Sequence, residues 1–134
     1  MPRPALRPTV LSFSGIIAIV IGTAIVADPV GFHATGGVHV GADAGLLNEM
    51  RAAGGAILSL GLLALVAVFA NGLRTIALTA SAAVYGGYGL ARLYSFLVDG
   101  VPDRTLVWIA ALELVICAAC FAVAVLPQAP KSRS

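Results

Sequence analysis

YGGYGLARLYSFLVDG (residues 85–100) is an apolar, small-residue run that carries an arginine with no lysine, aspartate or glutamate within six positions on either side. An arginine at the centre of a membrane helix costs at least about 2.5–3.5 kcal/mol, and such residues face a bundle interior or a wet cavity. Extending outward from Arg92, polar residues recur as Ser81, Tyr85, Tyr88, Arg92, Ser95 and Asp99, in steps of 4, 3, 4, 3 and 4. That spacing lines all six along one face of an α-helix. The segment therefore reads as a helix with one polar stripe, and the stripe is expected to face inward.

The remainder of the 134-residue chain fits a membrane setting. It is 60% hydrophobic and 10% charged, with a mean hydropathy of +1.00, against roughly 45–50% apolar and about 25% charged residues in a soluble domain. Apolar stretches occupy residues 11–27, 52–70, 75–98 and 106–126, each near or above the roughly 17–25 residues that cross a bilayer as a helix. Barrel strands would alternate over about ten residues, and only helices or closed barrels satisfy the backbone in lipid. The expected fold is all-α: a polytopic membrane protein built as an antiparallel four-transmembrane-helix bundle, with residues 1–134 forming a single membrane domain. A signal peptide is the competing reading of the first stretch, but its apolar run exceeds the usual length of such a core.

The connections at residues 71–74 and 99–105 are short, which makes the helices they join antiparallel neighbours. Residues 28–48 form a longer outer loop, rich in glycine and free of lysine and arginine, with Asn48 as a cap and Glu49 in the first turn of the second span. Placing both termini in the cytoplasm puts Arg3, Arg7, Arg74, Lys131 and Arg133 inside and leaves Arg51 and Arg104 outside. The formal charge of +2 arises mostly from the short tails, which suit a membrane surface and are too small to imply nucleic acid. Seven arginines against one lysine suit GC-rich coding, and with it a bacterial inner membrane.

Depth selects a partner for Arg92. Arg92 lies about six residues, roughly 9 Å, below the outer end of its span, and Glu113 about seven residues, roughly 10 Å, below the outer end of the next. An Arg92–Glu113 ion pair is the simplest reason that both charges are tolerated. Glu49 and Arg51 open the second span on the same side, so Glu49, Arg51, Tyr85, Tyr88, Arg92, Asp99 and Glu113 form the candidate cluster. It reads either as a device that fixes helix packing or as a site for a small polar, lipidic or anionic ligand or a proton. Small residues at Gly15, Ala18 and Gly22, and at Ala52, Gly55 and Ser59, provide faces for close helix approach.

Other motifs carry less. Cys117 and Cys120 form a C-x-x-C that is similar to the thiol pairs of quinone-linked oxidoreductases, yet they lie deep in an apolar helix, where reactive thiolates are not stabilised. His33 and His39, with Asp28 and Asp43, match no defined metal-ligand spacing. No phosphate loop, nucleophile elbow or metal motif appears, so no cofactor and no catalytic residue is expected.

"NEMRAAGG" (residues 48–55), "GLARLYSFLVDGVP" (89–102) and "ELV" (113–115) together resemble the bacterial four-helix membrane proteins of domain-of-unknown-function family 4345. The resemblance covers about residues 48–126. It implies the four-helix architecture and marks Glu49, Arg51, Arg92, Asp99, Gly100, Pro102 and Glu113; it implies no reaction. This chain departs from the pattern where Ala53 precedes the paired glycines and where Leu90 and Ala91 separate Gly89 from Arg92. Three classes of function stand open: an accessory or assembly subunit of a larger membrane complex, a binder or transporter of a small polar or lipid ligand, and a thiol oxidoreductase. The expected order is the one given, with membrane lipid and other membrane subunits as partners.

Overall fold

The computed structural model describes residues 3–126, and every regular element in that range is helical. Helix α1 runs Arg3–Ala27, α2 Pro29–Ala34, α3 Ala44–Phe69, α4 Arg74–Val98 and α5 Arg104–Val125, with a single 3-10 turn at Asn71–Leu73. Local chemistry sets these boundaries. Asp28 precedes a proline, which disfavours the helical conformation, so α1 stops and Asp28 instead caps α2 by accepting from the Gly31 amide at 2.9 Å. Asp99–Gly100 ends α4: Gly100 has φ +95°, a left-handed conformation that glycine adopts without a Cβ penalty. Asp103 then caps α5 by accepting from the Thr105 amide at 2.8 Å. The amide N–H of Thr105 holds the Asp103 carboxyl below the usual aspartate value, as hydrogen bonding to a carboxylate requires.

Several sequence expectations shift here. The loop expected over residues 28–48 contains α2 and the first turn of α3. The cap of α3 is Asp43, which accepts from the Leu46 amide at 2.9 Å, and not Asn48. Glu49 consequently sits beyond the first turn. Apolar stretches mark where a helix is buried in an apolar medium, whereas capping chemistry decides where it begins, and α3 starts eight residues before its apolar run.

The closest pairings are α1 with α3 and α4 with α5. Both are antiparallel: Gly15 lies against Gly61 and Gly22 against Gly54, while Gly86 meets Cys117 and Gly89 meets Leu114. The α1–α3 crossing is tight enough that a Cβ on Gly61 would lie 2.7 Å from the Ile19 backbone nitrogen and 2.8 Å from the Gly15 carbonyl. The small face of α3 is thus Gly54 and Gly61, displaced from the expected Ala52, Gly55 and Ser59; Gly55 faces open space. The buried core joins all four long helices through Leu11, Ala64, Leu78 and Cys120.

Three arginines hold helix C-termini, where carbonyls lack intrahelical partners. Arg7 donates to the Ala124 carbonyl of α5 and to that of Leu126 just beyond it, at 3.2 and 2.8 Å, and to Thr75 Oγ1 at 3.0 Å. Arg74 donates to the Ala67 and Val68 carbonyls of α3 at 3.2 and 2.6 Å. Arg51 donates to the Val26 carbonyl of α1 at 3.1 Å.

Three helical segments, Ala5–Ala27, Ala44–Phe69 and Arg104–Val125, are long and apolar enough to cross a membrane. α4 has the same 25-residue length as α1, but its polar stripe lowers its apolarity below theirs. Large apolar side chains cover the outside: Phe69, Tyr94, Leu97, Val101 and Trp108 are each more than two-thirds exposed.

Candidate functional site

The polar stripe of α4 is buried at its Ser81 end and open at its Asp99 end. Ser81 and Tyr85 are buried, Tyr88 is 38% exposed, Arg92 and Ser95 are half-buried, and Asp99 at the helix end is exposed. The Tyr85 hydroxyl donates to the Ser14 carbonyl of α1 at 2.7 Å, tying α4 to α1 at the floor of the stripe. About two turns above it, Arg92 Nε donates to Glu113 Oε2 at 2.9 Å. The ion pair expected from matched helix depth is present, and its side chains are 31% and 13% exposed for Arg92 and Glu113. The pair is positioned by the Asp99–Asp103 connection, which folds α5 back along α4, and by Gly86 and Gly89, whose missing side chains let the two helices close on Cys117 and Leu114.

Beside the pair lies a cavity of about 290 Å³. Tyr85 and Leu60 line its deep part, and Ile25 of α1, Met50 and Ile57 of α3 and Ile109 of α5 supply apolar walls. Arg92, Glu113, Tyr88, His33 and Thr35 bring polar side chains to it. Across the α2 end, Phe32, His33 and Val38 complete the lining, and the loop after α2 reaches α5, where Gly36 abuts Leu106 and Gly37 abuts Asp103. His33 Nδ1 lies 2.7 Å from the Pro29 carbonyl. A carbonyl only accepts, so Nδ1 carries the hydrogen of this contact. A shallow groove on the outer side of α4, between Ala83 and Ala91, shares Val84 and Tyr88 with the cavity, so these two side chains form the partition between inside and outside.

Of the seven residues in the expected cluster, Tyr85, Tyr88, Arg92 and Glu113 line this cavity. The other three do not. Glu49 is exposed and forms no ion pair among the described residues. Arg51 is committed to the Val26 carbonyl, and Asp99 accepts from Ser95 Oγ at 2.8 Å. Helical phase explains the first two: Met50, Ala53, Ile57 and Leu60 are the cavity face of α3, and Glu49 and Arg51 lie about 100° to either side of Met50. Asp99 is seven residues from Arg92, roughly 10 Å further along the axis.

What the sequence reading missed is the cover. His33 entered only as a possible metal ligand beside His39, Asp28 and Asp43, and no group of three such ligands is assembled among the described residues. The signal for the cover was the D-P dipeptide at residues 28–29, which stops one helix and starts another. Cys120 is fully buried, and neither Cys120 nor Cys117 lines the cavity. Both thiols are free.

No curated protein and no solved structure matches the chain. Residues 8–124 match the sequence profile described as "Domain of unknown function (DUF4345)", so the chain belongs to that family over nearly all of its length.

Proposed function

We propose that this protein is a four-span integral membrane protein that binds one small amphipathic molecule in the cavity beside Arg92 and Glu113. The cavity carries the reading. Apolar side chains from four long helices surround a single ion pair in a space of about 290 Å³, close to the lower end of the roughly 300–1,000 Å³ typical of small-molecule sites with apolar walls and few polar groups. This is why binding stands ahead of the accessory-subunit role that the sequence alone ranked first. The two thiols, outside the cavity, leave an oxidoreductase without support from the site.

The case for α4 as the fourth span is that its polarity lies on the stripe turned toward α1 and α5, while Leu90, Leu93, Tyr94 and Leu97 on its other faces are exposed. Lipid meets only the outward faces of a helix. Exposed apolar area of this extent marks a membrane or partner surface. Arg3, Arg7 and Arg74 lie at the end opposite α2, against Arg51 and Arg104 at the α2 end. The positive-inside rule then gives cytoplasmic termini and a cavity toward the outer face of a bacterial inner membrane.

Native mass spectrometry of protein extracted in polymer-bounded membrane discs tests the binding reading. A small-molecule adduct is expected on the wild type and is expected to vanish in Ala53→Trp, whose indole fills the space between α3 and the ion pair. Equal spectra for the two folded proteins would refute it.

A further inference from the structure

Given that the cavity is a ligand site, its charge chemistry narrows the occupant. Among the described residues Arg92 and Glu113 are the only charged side chains that line it, and they meet through one hydrogen bond, Nε to Oε2. Among the described residues the two Nη groups of Arg92 and Oε1 of Glu113 have no partner. The wall therefore offers guanidinium donors beside a carboxylate acceptor, with no net charge. The His33 ring and the Tyr88 hydroxyl stand around the same space.

We propose that the cavity selects an uncharged amphiphile whose head is a hydroxyl group. A hydroxyl both donates and accepts: its oxygen takes a hydrogen from an Arg92 Nη, and its own hydrogen goes to Glu113 Oε1. The apolar tail lies along Ile25, Ile57 and Ile109. An anionic head meets the arginine but also meets the carboxylate that already neutralises it, so it gives up its hydration without a compensating field. A cationic head meets the converse. The cavity volume holds one short chain and not a two-chain lipid.

A probe series with a common tail isolates the head: octanol, octanoate and octylammonium, each titrated against the protein in lipid discs and followed by the shift in thermal unfolding midpoint. The double variant Arg92→Leu/Glu113→Leu, which removes both hydrogen-bonding side chains, corrects for partitioning into the disc. The wild type is expected to bind octanol at least about tenfold more tightly than either ion, equivalent to about 1.4 kcal/mol. Glu113→Gln is expected to move the preference toward octanoate and Arg92→Gln toward octylammonium. Preference of the wild type for octanoate or octylammonium would overturn the neutral-head proposal while leaving the ligand site standing. No probe above the double-variant baseline, together with no adduct in the native spectrum, would overturn both. The wild-type series decides the matter even if a single variant fails to fold.

Discussion

Replacing either member of the Arg92–Glu113 pair strands the other, and the two strandings differ in size. In Arg92→Leu the carboxyl of Glu113, 13% exposed, loses the donor at 2.9 Å. It can escape by taking a proton, which from a reference pKa near 4.3 costs about 3.7 kcal/mol at pH 7, so the penalty is capped near that figure. In Glu113→Leu the guanidinium cannot neutralise itself, but Arg92 is 31% exposed and lies six residues from the end of α4, close enough to snorkel toward water. A cost of about 2–3 kcal/mol is expected, below the roughly 3–5 kcal/mol of a fully trapped charge. With both positions Leu, neither desolvation remains, and the double variant should lie within about 1 kcal/mol of the wild type. The coupling is then about 3 kcal/mol or more, at or beyond the upper end of contacting pairs. Equilibrium unfolding in mixed micelles at pH 7 measures all four corners of the cycle. Additive single effects would refute the pairing as the reason both charges are tolerated.

Further outcomes follow from the packing and the caps. Gly61→Val should force α1 from α3 and cost at least about 1–3 kcal/mol, because its Cβ meets backbone at 2.7 Å, whereas Gly55→Ala, with open space beside it, should be neutral or slightly stabilising in the same unfolding assay. Asp103 is held below its ordinary pKa by the Thr105 amide, so its contribution is present above about pH 4 and is lost as pH falls through the lowered folded value; Asp103→Asn should flatten the acid limb of the stability profile, and an unchanged limb would exclude the cap as its source. A Cys117→Ala/Cys120→Ala variant should fold and bind as the wild type does, and Cys120, fully buried, should resist water-soluble alkylation in intact membranes. Rapid labelling of Cys120 would revive thiol chemistry.

The polar stripe and the ion pair were legible in the sequence because both rest on one helical period and one short connection. Arg92 and Glu113 could be matched in depth from the Asp99–Asp103 hairpin alone. The roles of Glu49 and Arg51 were not legible, since end-of-helix depth says nothing about azimuth. The phase of α3 is set by Gly54 and Gly61 docking on α1, a contact between helices separated by the α2 segment. Arg51 shows a second gap: a basic residue near a helix start reads as a site residue, but the nearest unsatisfied group was the carbonyl end of α1. The cavity itself belongs to no motif. It exists because α1 and α3 close on each other, α4 and α5 do the same, and α2, packed on α1 and α3, carries a loop that reaches across to α5.

An experimental density map of the protein in lipid discs, carried to a resolution that shows side chains, bears most directly on the ligand site. It should show continuous non-protein density within the cavity, with one end in hydrogen-bond reach of the Arg92 Nη groups and the Glu113 carboxylate and the remainder along Ile25, Ile57 and Ile109. A cavity collapsed onto the ion pair, or filled only by isolated waters, would contradict it.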